Sequence, residues 1–165
     1  MSNLKSEIVQ EKPFSSPNEE ALLNLVRTSD SVQRVFQRRI RKYGITSTQY
    51  NVLRILRGAH PRGLQCAAIG ARMLTAVPDI SRLLTRLKTL KLIRQQRDRS
   101  DRRVVWTQIS DSGLELLKSM DPFIEQLPKD ILGHMSQSDV AELIRLLELA
   151  RQTSNTMIES ESGAG

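Results

Sequence analysis

Apolar side chains recur at helical spacing along most of this chain. Residues 1–15 show no sustained period and read as a flexible arm. The segment "SPNE" then offers Ser16 as an N-cap, Pro17 at the first helical position and Glu19 to close a capping box. Leu22, Leu25, Val32, Phe36, Ile40 and Tyr43 follow at helical spacing, with Ser29 filling the gap, up to a C-cap glycine at Gly44. A second capping box, Thr46 with Gln49, opens a helix that carries Tyr50, Leu53 and Leu56 inward and stops at Gly58. "AHPRG" reads as a turn, and residues 65–73 as a short helix weakened by Gly70. From Pro78 to Leu90 the residues Ile80, Leu83, Leu84, Leu87 and Leu90 share one arc, with Pro78 and Asp79 in the first turn.

The period then changes to two. Residues 92–97 and 104–109 read as the strands of a hairpin, with Val105, Thr107 and Ile109 on one face and Val104, Trp106 and Gln108 on the other. "SDSG" at 110–113 opens a helix bearing Leu114, Leu117, Ile124, Leu127 and Ile131. Pro122 and Pro128 are expected to interrupt or kink it, with Asp121 capping a restart. A last helix starts near Ser136, shows Val140, Leu143, Ile144, Leu147 and Ala150, and is expected to fray after about 155. The element order is four helices, a hairpin and two helices.

Charge sharpens this picture. The net charge is +7, but residues 1–33 carry 3 basic and 5 acidic side chains, residues 34–103 carry 18 and 3, and residues 104–165 carry 4 and 10. A strongly basic middle between acidic ends is the footprint of a face that binds a polyanion, with nucleic acid the commonest. The outer arc of the 78–90 helix displays Ser81, Arg82, Thr85 and Thr89, flanked by Arg86 and Lys88, with no carboxylate on it. The hairpin tip, Asp98 to Arg103, holds three arginines and two aspartates, far more charge than a solvated turn needs.

Two short helices across a tight turn, followed by a hairpin, form a winged helix-turn-helix. The second helix would enter a major groove, where Arg82 could take a guanine bidentately and the Ser81 and Thr85 hydroxyls could donate or accept. The tip would touch flanking backbone or a narrow minor groove, with Asp98 or Asp101 bracing a neighbouring guanidinium. Arg86, Lys88 and the first-helix arginines Arg34, Arg38, Arg39 and Arg41 could reach only phosphates or nothing.

"TSTQYNVLRIL", "RMLTAVPDISRLLTRLKTLKLI" and "DRSDRRVVWTQISDSG" together resemble the MarR family of bacterial winged-helix regulators, by motif over roughly 44–113 and by element order over nearly the whole chain. The resemblance implies a mainly α fold with a small β-hairpin wing, and a homodimer formed by N- and C-terminal helices (16–43 and 114–155) around a DNA-binding domain at 44–113. It also implies a palindromic operator on double-stranded DNA and, by analogy, repression released by a small-molecule effector. The DNA-reading residues it implies are Ser81, Arg82, Thr85 and Arg86 on the helix and Asp101, Arg102 and Arg103 on the wing; Pro78 and Asp79 on the helix and Arg99 on the wing are further candidate DNA-binding residues beside them. Thr48, Gln65 and Lys88 are candidate phosphate contacts. Three departures stand out: Lys91 where a glycine usually precedes the strand, Gln65 in place of a Ser or Thr cap, and Pro122 within a usually continuous helix.

The single cysteine, Cys66, allows no intramolecular disulfide, so a cytoplasmic protein is expected, with no membrane segment. His60 and His134 give no zinc spacing, no P-loop, G-x-S-x-G or H-E-x-x-H is present, and neither enzyme activity nor a cofactor is expected. Two alternatives remain: a DNA binder with little sequence preference, and a regulator that senses oxidants through Cys66, which sits near a helix start.

Overall fold

The computed structural model describes residues 4–162. It contains helices α1 (Leu4–Glu7), α2 (Pro17–Ile40), α3 (Ser47–Gly58), α4 (Cys66–Gly70) and α5 (Ile80–Thr89), strands β1 (Ile93–Arg97) and β2 (Val105–Ile109), and helices α6 (Asp111–Leu132) and α7 (Gln137–Ser162). The fold is mainly helical, with a two-stranded antiparallel wing. Two compact units divide at Asp121/Pro122.

In the first unit, the core is built from Ile40, Val52, Leu53, Leu56, Ile69, Leu84, Leu87, Ile109, Leu117 and Met120, all fully buried or nearly so. The opening arm departs from expectation: it contains the one-turn helix α1, and Leu4 is buried. Ser16 caps α2 by accepting from the Glu19 amide. The return bond differs from a capping box, because the Glu19 carboxylate takes the amide and hydroxyl of Ser15 instead of the Ser16 amide. Those two bonds hold the Glu19 carboxyl below its ordinary pKa.

The apolar stripe of α2 is split. At its C-terminal end Ile40 is buried and Phe36 meets Tyr50 edge-on, with ring centres 5.4 Å apart. Further back, Leu22 and Val26 are about 60% exposed, at 61% and 60%. A single 3-10 turn, Arg41–Tyr43, carries the chain to Gly44, whose φ of 74° makes the left-handed exit. The α3 capping box forms in full, with bonds of 2.9 and 3.2 Å between Thr46 and Gln49.

The wing strands pair in the register Ile93↔Ile109 through Arg97↔Val105. Gly113, the glycine after the second strand, has a steric reason: a Cβ there would strike the Leu92 carbonyl oxygen and the Ile109 side chain. Pro122 and Pro128 do not interrupt α6, which runs unbroken from Asp111 to Leu132. Each proline removes one helical N–H, a local loss that the neighbouring turns tolerate. Asp121 caps no restart; its carboxylate takes the Arg57 guanidinium at 2.8 and 3.0 Å.

In the second unit, Ser136 caps α7, accepting from the Asp139 amide at 3.1 Å. The helix continues past 155 to Ser162, and the remainder of the expected frayed tail, 163–165, lies outside the described residues. Val140, Leu143 and Leu147 are half-buried, while Ile144, Leu146, Leu149, Met157 and Ile158 are exposed. No helix among the described residues is long and apolar enough to cross a membrane.

Candidate nucleic-acid interface

Helix α5 begins at Ile80, two residues later than its sequence suggests. Pro78 lies outside it, exposed, and Asp79 is the N-cap, its carboxylate accepting from the Arg82 amide at 2.8 Å. A carboxylate at this end also complements the helix dipole. Leu84 and Leu87 are buried and fix the roll of the helix, each worth about 1.5–3 kcal/mol of burial. The opposite face therefore points outward: Ser81, Arg82, Thr85, Arg86, Lys88 and Thr89 are all exposed. Arg82, Arg86 and Lys88 form no ion pair among the described residues, which leaves their charge open. Thr85 donates its hydroxyl to the Ser81 carbonyl at 3.0 Å, so of the two roles expected of it, donor or acceptor, it presents acceptor capacity, with its methyl group beside it.

The far end of α5 is closed by a Schellman motif. The Lys91 amide bonds the Lys88 carbonyl at 2.9 Å, and the Leu92 amide bonds the Leu87 carbonyl at 3.1 Å. Lys91 adopts φ 59°, a left-handed conformation that glycine takes without steric cost. Leu92 is buried alongside Leu87, and Leu90, expected on the inner arc, is 47% exposed.

The turn that precedes α5 is held by a residue with no signal in the sequence. Asn51, in the middle of α3 and buried, accepts the Leu74 amide at 2.8 Å. Helix α4 is shorter than expected, ending at Gly70, and Gln65 stands at its N-cap position, exposed, without a capping side-chain bond. Cys66 is half-buried, with its sulfur 3.9 Å from the Ser81 hydroxyl. Thr48 is half-buried in the first turn of α3.

At the wing tip one carboxylate organises the chain. Asp98 accepts the Ser100 hydroxyl and amide and the Asp101 amide on one oxygen, and the Trp106 indole N–H at 2.9 Å on the other. The Ser100 hydroxyl, then the Trp106 indole and the two amides, hold the Asp98 carboxyl far below the usual carboxylate range. The expected brace to a guanidinium is thus met at Asp98 by neutral donors. Asp101 does face an arginine, 3.7 Å from Arg103, and also accepts the Arg103 amide. Arg97 donates to the Arg102 carbonyl at 3.0 Å. Arg99, Asp101, Arg102 and Arg103 are exposed, so the wing residues named from sequence do gather on one tip. Of the first-helix arginines, Arg34 is paired with Asp30 at 2.9 Å on its own helix.

A family description for MarR matches residues 43–104. The chain is 32% identical to the transcriptional repressor NicR of Pseudomonas putida over 133 residues, 79% of this chain and 77% of the relative. Among solved structures it is similar to a MarR transcription factor from Planctomyces limnophilus, with 37% identity, a TM-score of 0.64, and coverage of 83% of this chain and 99% of that one. It shares its fold with Bordetella bronchiseptica BpsR, whose DNA binding is regulated by 6-hydroxynicotinic acid, at 23% identity, a TM-score of 0.73, and coverage of 86% and 99%.

Proposed function

The chain belongs to the MarR family and is a DNA-binding transcriptional regulator, not an enzyme; from that premise we propose that it is a homodimeric repressor that reads a palindromic operator and is released by a small-molecule effector. The observation that carries the reading is the outer face of α5, where Arg82, Thr85 and Arg86 project from a helix whose roll is fixed by buried leucines. In this reading α5 lies in the major groove. Arg82 takes a guanine edge, Thr85 accepts from an adenine or cytosine amine or packs on a thymine methyl, and Ser81 and Arg86 complete the contact. Pro78 and Asp79 set the helix start against the groove. Arg99, Asp101, Arg102 and Arg103 form the wing contact to flanking backbone or minor groove, while Thr48, Gln65 and Lys88 meet phosphates.

A second copy of this chain is the partner that would cover the exposed apolar residues of α2 (Leu22, Leu25, Val26) and of α7 (Ile144, Leu146, Leu149), the terminal helices through which the family resemblance implies dimerisation. Twofold symmetry of the protein demands a matching symmetry of the operator. An effector is supported by the likeness to BpsR.

Selection of bound duplexes from a random pool at physiological salt tests this reading. A palindrome whose half-sites lie about one helical turn, roughly 34 Å, apart is the expected result. Retention of every duplex alike, and only at low salt, would reduce the chain to a binder without sequence preference.

A further inference from the structure

The turn between α3 and α4 is clamped onto the wing. Leu64 and Thr107 exchange both backbone hydrogen bonds, at 2.9 and 2.8 Å. Gly63 makes the close approach with φ 77°, at a place where a Cβ would strike the Thr107 carbonyl oxygen. This fixes its neighbour Arg62, whose guanidinium carbon lies 6.0 Å from the centre of the Trp106 ring and whose carbonyl accepts from the Gln108 side chain at 3.4 Å. Trp106 is pinned in turn by its indole bond to Asp98.

Arg62, Arg97 and Arg99 line one open cleft of about 450 Å³ beside the tip of the wing, together with Gln96, Gln108 and Trp106. The only carboxylate on its wall is that of Asp98, and both its oxygens are taken by Ser100, Asp101 and Trp106. None of the three guanidiniums is paired with a carboxylate among the described residues. Three like charges facing one cleft, with two amide side chains beside them, fit an anion with several acceptor oxygens.

We propose that this cleft binds a DNA backbone phosphate beyond the reach of α5, on the side of the wing that faces the α3–α4 turn, with Arg62 as the contacting residue and Trp106 as the positioning residue beneath it. The proposal rests on the DNA-binding reading above. It adds a phosphate contact from a turn that the helix-turn-helix and wing motifs leave out.

Trp106 is the single tryptophan of the chain, so its fluorescence reports on the surroundings of its own ring, Arg62 and this cleft among them. The full-length protein is titrated with its selected operator in two lengths, one ending at the outer half-site edge and one extended by several base pairs on each side. The longer duplex is expected to bind more tightly and to change Trp106 emission, and the shorter one to leave emission unchanged. Arg62→Ala should abolish the emission change, weaken the longer duplex by about 3- to 10-fold and flatten its salt slope by about 1, with no effect on the shorter one. Arg62→Lys, which keeps the charge, should retain the slope.

If the parent binds both duplexes and Arg62→Ala behaves like the parent on each, the phosphate site is overturned and the regulator reading stands. If the parent selects no duplex at all, the regulator reading itself has failed. Inorganic phosphate is the control. An emission change that saturates with phosphate alone and never appears with duplex would overturn the backbone assignment in favour of a free anion.

Discussion

Helix α5 holds Arg82 and Arg86 outward by burying Leu84 and Leu87 beneath them, whereas the tip between β1 and β2 holds Arg99, Arg102 and Arg103 with no buried side chain among residues 98–103. The same chemistry is mounted in two ways. On the helix, orientation comes from hydrophobic burial and is shared with the fold of the whole first unit. On the wing, it comes from one carboxylate that gathers two amides, a hydroxyl and an indole N–H. Burial is non-directional and large, while the hydrogen bonds are directional and individually small. Global stability and the proposed DNA contact are therefore tied together in α5 and separable in the wing.

The sharpest way to break that contrast is Leu87→Ala. It should lower unfolding free energy by about 2–5 kcal/mol, measured by chemical denaturation, because the removed side chain is fully buried where α5 meets the core. Loss of DNA binding should track the fraction unfolded. A variant that stayed fully stable would mean that the roll of α5 is set by something other than this burial.

Next in size is Arg82→Ala, which touches the reading and not the mount. Thermal stability should stay near the parent value, while discrimination against a changed base pair in the half-site falls by about 1–3 kcal/mol. Competition binding with single-substitution operators checks it. Unchanged discrimination at every position would remove Arg82 from base readout.

Asp98→Asn tests the wing's mount. An asparagine keeps one acceptor oxygen, so it can hold the Ser100 and Asp101 amides or the Trp106 indole, but not both sets. Binding to all duplexes should weaken several-fold and alike, with melting almost unmoved. The parent carboxyl has a folded pKa below that of an ordinary aspartate, so its contribution is full above the unfolded value and is lost as pH falls through the lower folded one. Trp106 emission should accordingly stay constant from about pH 8 to about pH 5, and a transition inside that window would show that Asp98 is not what holds the ring.

These two mounts were unequally legible from sequence. The Thr46–Gln49 box, the Gly44 exit and the roll of α5 depend on residues within a few positions of one another, and all three could be read directly. Asn51 holding Leu74, Arg62 over Trp106 and Arg57 on Asp121 join residues 23, 44 and 64 positions apart, and no local pattern announces such pairs. Thr85 illustrates a different limit: its hydroxyl could be named as a contact, but its donation to the Ser81 carbonyl depends on a rotamer chosen inside the helix. Leu90 fell on the inner arc by periodicity, and is exposed because the Schellman turn hands its place to Leu92.

The smallest expected effect lies at that same turn, where the two mounts join. Lys91 occupies a left-handed position with φ 59° between α5 and β1, and its carbonyl accepts the Ser110 hydroxyl at 2.7 Å. An L-residue held there costs about 1–2 kcal/mol over the right-handed form, whereas glycine is indifferent to the sign of φ but loses more freedom on folding. Lys91→Gly should therefore stabilise the protein by only about 0.5–1 kcal/mol, the difference of those opposing terms, in chemical denaturation. The Ser110 bond goes to the backbone and survives the substitution, so the hairpin should leave α5 at an unchanged angle. Operator affinity should then fall only by what one exposed cation contributes, visible as a slightly flatter salt dependence. Destabilisation would mean that the lysine side chain supports the junction in a way that outweighs its backbone strain.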